Sequence, residues 1–180
     1  MRRTTVIVAA MAVLAVLAAP AAAHKQEVPD PNDSPGRLDI KKATSIDRGS
    51  GPDEKFFFVV KTYRPWRKIH LAGARGNFRV QFRRGQESSY QIEISTDKSN
   101  DLTALLVLCI EAQGCDYENG VPVPIRKRNK KVLVTRVRRE QVPGVGGALS
   151  WRATSAYGTG CDGKCHFDSA PDNGLKFHNV

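Results

Sequence analysis

The chain has 180 residues, 41% of them hydrophobic and 26% charged, and its 28 Lys and Arg outnumber 18 Asp and Glu for a net charge of +10. That length gives one domain with a core of its own, and a single long apolar stretch excludes a polytopic membrane protein. The basic excess favours anionic partners such as acidic wall polymers, nucleic acid, anionic lipid or an acidic protein, and it also keeps a domain in solution.

The chain opens with Arg2 and Arg3, runs apolar from Val6 to Ala19, and continues Pro20-Ala21-Ala22-Ala23. This is the layout of a secretory signal peptide over residues 1–23, cut before His24; the apolar stretch falls short of the ~20 residues of a membrane span. Its removal leaves 157 residues with 26 basic against 18 acidic side chains, a charge of +8. The expected product is secreted, monomeric and without a transmembrane segment.

Residues 24–36 are polar and proline-rich, and read as a flexible lead-in to one domain over 37–180. Within it no helix pattern of useful length occurs. Runs of β-branched and aromatic residues recur between Gly, Pro, Asn and Asp clusters, and predict strands at 38–46, 55–63, 77–83, 89–95, 102–111, 121–126, 132–138 and 149–156. About eight such strands specify an all-β, two-sheet antiparallel sandwich of jelly-roll type. Between 77 and 95 the alternation is strict on both strands. A hairpin pairing Phe78 with Ile94, Val80 with Ile92 and Phe82 with Tyr90 satisfies the apolar face, and sets Arg79 against Glu93 on the wet face. The runs Phe56 to Val60 and Ala104 to Leu108 are apolar on both faces, so they are expected as central strands, each covered by the other sheet and by a loop or terminus.

Chemistry is suggested in four places. Asp30, Asp33 and Asp39 surround Gly36 just before the first predicted strand, and Asp168-Ser-Ala-Pro-Asp172-Asn173-Gly174 closes the chain. If the first and last strands are neighbours, these loops converge on a hard cation such as Ca²⁺, which takes 6 to 8 oxygens; the same residues also serve as ordinary turn formers. The four cysteines, Cys109, Cys115, Cys161 and Cys165, give two disulfides in an oxidising compartment with three connectivities open. Gly-containing turns inside each close pair favour neighbour pairing over a long-range staple; Cys161-Asp-Gly-Lys-Cys165-His166 has three residues between its cysteines where haem attachment uses two, and zinc would need free thiols outside the cell.

Third, Arg126-Lys127-Arg128-Asn129-Lys130-Lys131 reads as a hairpin tip whose return strand carries Arg136 and Arg138. This is a stripe for polyanions, or a charged edge that blocks aggregation. No aromatics interleave with these charges, which disfavours nucleic acid. Fourth, Tyr63, Trp66, Tyr117 and Tyr157 could form a sugar-stacking surface or pack at the rim of the core; Trp151 shares a face with Leu149 and Ala153 and belongs to the core. Catalytic signatures are absent: there is no G-x-S-x-G, no H-E-x-x-H and no phosphate loop. Gly144-Val-Gly-Gly147 reads as a turn.

The segment Asp-x-x-Asp-x-x-Gly-x-Leu-Asp-Ile (Asp30 to Ile40), the Pro65-Trp66 pair and Ala170-Pro171-Asp172 resemble a group of exported actinobacterial β-sandwich proteins, with a looser likeness to DOMON-type and carbohydrate-binding sandwich modules. The resemblance implies Asp30, Asp33, Asp39 and Asp172 as cation ligands. It departs from haem-binding DOMON modules, which use a Met and His pair, because Met1 and Met11 both lie in the signal segment.

Taken together, the sequence predicts a secreted, non-catalytic binding module for a cell-envelope or extracellular glycan, with Tyr63 and Trp66 touching the ligand and calcium pinning the termini. The alternative is a basic interaction protein docking on an anionic polymer through Arg126, Arg128, Lys130, Arg136 and Arg138. An extracellular hydrolase, which would need two facing carboxylates, ranks last.

Overall fold

The computed structural model describes residues 23–83, 88–111, 113–145, 148–158, 165–172 and 174–179; the expected signal segment, apart from Ala23, lies outside the described residues, as do Cys161 and Asn173. Thirteen strands are described: β1 (Lys25–Pro29), β2 (Ile40–Arg48), β3 (Lys55–Thr62), β4 (Gly76–Arg83), β5 (Ser88–Thr96), β6 (Leu102–Ile110), β7 (Gly114–Cys115), β8 (Val121–Pro122), β9 (Ile125–Lys127), β10 (Val132–Arg138), β11 (Ala148–Tyr157), β12 (His166–Ala170) and β13 (Lys176–Asn179). Among the described residues the only helical pieces are four 3₁₀ turns of three or four residues. None is long and apolar enough to cross a membrane.

The strands form two antiparallel sheets, β1-β2-β3-β10-β9 and β12-β11-β4-β5-β6-β7, with β13 also on β11 and β8 also on β6. They stack as an open sandwich, as the patterning predicts. Period-2 alternation drives the assembly: β4 buries Phe78, Val80 and Phe82 and leaves Asn77, Arg79 and Gln81 on the other face. The β4–β5 register pairs Phe78 with Ile94, Val80 with Ile92, Phe82 with Tyr90 and Arg79 with Glu93, the register the two faces require. Arg79 Nε meets Glu93 Oε2 at 2.7 Å. Between the sheets Phe58 stacks on Phe82 at 5.1 Å, and Trp151 tilts against Phe58.

Three features depart from the expected layout. Residues 25–29, in the stretch expected as a loose lead-in, form β1 along β2. Val28 turns into the core, and Gln26 Oε1 accepts the indole hydrogen bond of Trp151 at 2.8 Å. The strand expected at 121–126 is broken by Pro122 and Pro124, which cannot donate to a ladder. Its first half pairs with β6 in one sheet and its second with β10 in the other, so the chain changes sheets there. The outer face of β3 is not fully covered: Phe57 and Val59 are half-exposed.

Cys109 and Cys115, opposite each other on β6 and β7, are disulfide-bonded. Cys165 is also in a disulfide.

Candidate metal centre

The two sheets meet along one open edge of the sandwich, where β12 lies beside β2. Asp30 follows β1 directly, and its backbone N–H donates to Lys41 O at 3.1 Å, holding it in line with the sheet. Asp39 immediately precedes β2. Its carbonyl accepts the Tyr63 N–H at 3.0 Å, while Ser155 Oγ donates to the neighbouring Leu38 carbonyl at 2.8 Å. Asp168 sits mid-strand in β12 opposite Ser155, and the strand's alternation turns it inward. Its Oδ2 accepts the Ile40 N–H at 2.5 Å, tying the larger sheet to the start of β2. Ser34 Oγ donates to Phe167 O at 3.3 Å, drawing the loop that carries Asp33 against the same strand.

Five carboxylates converge as a result. Ligand oxygens of Asp30, Asp168 and Asp172 lie within 4.8 Å of one another, and so do those of Asp33, Asp39 and Asp168. Asp30 is 4% exposed, Asp39 2% and Asp168 8%. Both side-chain oxygens of Asp30 and both of Asp39 are buried and accept no hydrogen bond, although Asp30 faces the Asp168 carboxyl closely enough to share a proton with it. Among the described residues no Lys, Arg or His nitrogen lies within 4.0 Å of any of the five. A buried carboxylate with no hydrogen-bond donor is costly, and here Asp30 and Asp39 are two such groups sharing one seam with three further carboxylates. Burial, followed by the charges of Asp168 and Asp33, pushes Asp39 up to about 6. Burial and the facing carboxylates raise Asp30, and burial raises Asp168. An all-oxygen, all-anionic donor set of this kind can hold a hard metal ion.

The seam adjoins a concavity of about 650 Å³ on the outer face of the larger sheet. Its floor carries Arg79, Gln81, Gln91, Arg152 and Thr154, and Asp33, Asp168 and Asp172 form one wall. The floor is cross-braced: Arg152 Nε donates to Gln81 Oε1 at 3.0 Å, and Gln91 Nε2 donates to Glu93 Oε2 and to Tyr117 Oη. Phe167, on the rim, is 72% exposed.

Of the residues singled out in the sequence, Asp30, Asp33, Asp39 and Asp172 are brought together, joined by Asp168, which opens the closing acidic cluster but was not among the implied ligands. Trp66 must be corrected: it is 1% exposed, packs edge-on to Phe78 at 5.5 Å and is covered by Lys127 Nζ at 4.5 Å, so its ring offers no face to a sugar. Tyr63 uses its hydroxyl to donate to Asp30 O at 2.7 Å; it braces the acidic seam instead of lining the concavity.

Arg126, Arg128, Arg136 and Arg138 share the outer face of the smaller sheet, and Lys130 is exposed at the hairpin tip. On that face the register adds Lys25, Lys42, Arg48, Lys55 and Lys61, making nine cations around an apolar patch of Ile46, Phe57, Val59 and Val134. Glu27 is the one acid on this face of the strands, since Asp47 of β2 is buried on the other; it is held by Lys25 and Lys42, which keep its carboxyl down at about 2. These cations were half visible in the sequence; the rest needed the order of strands.

No protein family, curated protein or solved structure matches the chain, so the site stands on its own geometry.

Proposed function

We propose that this protein is an exported, non-catalytic glycan-binding module whose acidic seam holds calcium. The observation that carries the reading is the shared wall: Asp33, Asp168 and Asp172 belong both to the carboxylate seam and to the concavity beside it. Calcium accepts six to eight oxygens with flexible geometry, which suits carboxylates delivered by two loops and a strand better than the strict octahedron of magnesium does. A filled seam fixes the wall of the concavity. Its amide and guanidinium floor matches the vicinal hydroxyls of a sugar, and the exposed Phe167 ring matches the apolar face of a pyranose.

The test is retention of the oxidised protein on insoluble polysaccharides and cell-wall fractions, with CaCl₂ or chelator, across graded salt. The reading expects calcium-dependent retention that survives high salt and is lost in Arg152→Ala and Phe167→Ala. Retention indifferent to both substitutions would overturn it.

A second reading is favoured by the nine-cation face of the smaller sheet: docking on an anionic polymer. The apolar patch lies recessed beneath the arginines, and Arg48 caps Phe57 at 5.3 Å from the ring centroid, leaving no free platform for bases. Such binding falls steeply with salt. It would disappear in the triple variant Arg126→Glu, Arg128→Glu, Arg136→Glu, and persistence there would remove it.

A further inference from the structure

Five carboxylates are more than one calcium ion needs for neutrality, and they do not form a single set. Asp168 is common to both triads, whereas Asp30 and Asp172 occur only in one and Asp33 and Asp39 only in the other. Each triad contains one deeply buried aspartate with no donor on either oxygen, Asp30 in the first and Asp39 in the second. A single ion seated in either triad would leave the other triad's buried carboxylate without a partner.

We propose that the seam binds two calcium ions, one held by Asp30 and Asp172 and the other by Asp33 and Asp39, with Asp168 bridging them. This rests on the calcium reading of the seam given above. The electrostatic balance supports it: five ionised carboxylates carry a formal charge of −5, one dication leaves −3 in a largely buried seam, and two leave −1. Asp168 suits the bridge because it is the one carboxylate fixed by a backbone hydrogen bond from the opposing sheet, so its orientation is set before any ion arrives. Asp33 and Asp172 are both exposed and belong to different triads, so each ion has its own solvent-facing ligand. Backbone carbonyls and water supply the remaining oxygens. The consequence is a paired staple across the two sheets, in which loss of one ion weakens but does not erase the link.

The experiment is a calcium titration of the chelator-stripped, disulfide-intact protein by isothermal calorimetry, with native mass spectrometry to count ions. Wild type is expected to take up two. Asp172→Asn and Asp33→Asn, both at exposed positions that leave the core untouched, are each expected to keep one ion. Each should weaken the other ion's site by at least about tenfold, and the double variant should weaken both. Asp168→Asn is expected to bind neither ion tightly, with near-ultraviolet circular dichroism reporting whether it remains folded. One ion in wild type, weakened alike by Asp33→Asn and Asp172→Asn, would overturn the paired site and leave a single calcium site standing. No ion at all would overturn both.

Discussion

Two charged regions of this molecule, the acidic seam and the basic face, use the same backbone geometry to opposite effect. The seam gathers carboxylates from separate parts of the chain and removes three of them, Asp30, Asp39 and Asp168, from water, so their repulsion is felt at short range with little screening. The basic face spreads its cations over five strands and leaves them hydrated, where like charges cost little and salt screens them. Burial, not the number of charges, decides which region requires a counter-ion to be stable. A hydrated carpet of lysines and arginines invites a partner but does not depend on one.

The largest expected effect follows from removing the counter-ion. An ion present at 100 times its Kd stabilises the fold by about 2.7 kcal/mol. Chelation of two should therefore lower the thermal midpoint by about 10–20 °C, whereas chelation that leaves the midpoint unmoved would break the contrast. A subtler case is Asp39→Asn, for which the comparison predicts a sign inversion. The substitution should destabilise the calcium-loaded protein by about 1–2 kcal/mol and stabilise the stripped one, because it removes a ligand in the first case and a buried repelling charge in the second.

The pH response has a definite direction as well. The folded-state values of Asp30, Asp39 and Asp168 are raised, so in chelator their protonated forms favour the fold below about pH 4. That contribution is lost as pH climbs through about 6, the value of Asp39. The stripped protein's midpoint should accordingly fall between pH 4 and pH 8 in a calorimetric scan, and excess calcium should flatten or reverse the slope. Smallest of all is the effect of the triple variant Arg126→Glu, Arg128→Glu, Arg136→Glu, which should change stability by no more than about 0.5 kcal/mol per site. A large loss would mean that the basic face contributes to the fold.

How much of this could be read from the sequence depended on whether the information was local. The β4–β5 register was legible because each strand's alternation and the Arg79–Glu93 match constrain the same pairing. Asp30, Asp33, Asp39 and Asp172 stood out because they cluster with Gly and Pro. Asp168 stood in the closing cluster too, but its place in both triads emerges only when β12 settles beside β2. Trp66 follows Pro65 at the end of a strand, and the direction its ring takes is set by Phe78 and Lys127, neither of them near in sequence. Likewise the basic face was visible from 126 to 138, while Lys25, Lys42, Arg48, Lys55 and Lys61 join it only because β10 inserts between β3 and β9.

Finally, the four margins of the two sheets are blunted in different ways. At one side, β9 is three residues long and follows Pro124, and β6 is covered by the two-residue strands β7 and β8, the latter ending in Pro122. Short, charged or proline-bearing strands make poor templates for another chain. On the opposite side, β1 and β12 are five residues each, and the sandwich closes there over the carboxylates of Asp30, which follows β1, and Asp168, in β12. Were that closure to spring open, two unpaired backbone rows would be presented to other molecules at once. A chelating environment would then be recorded as turbidity before it was recorded as unfolding, and divalent cation would act as this protein's safeguard against self-association.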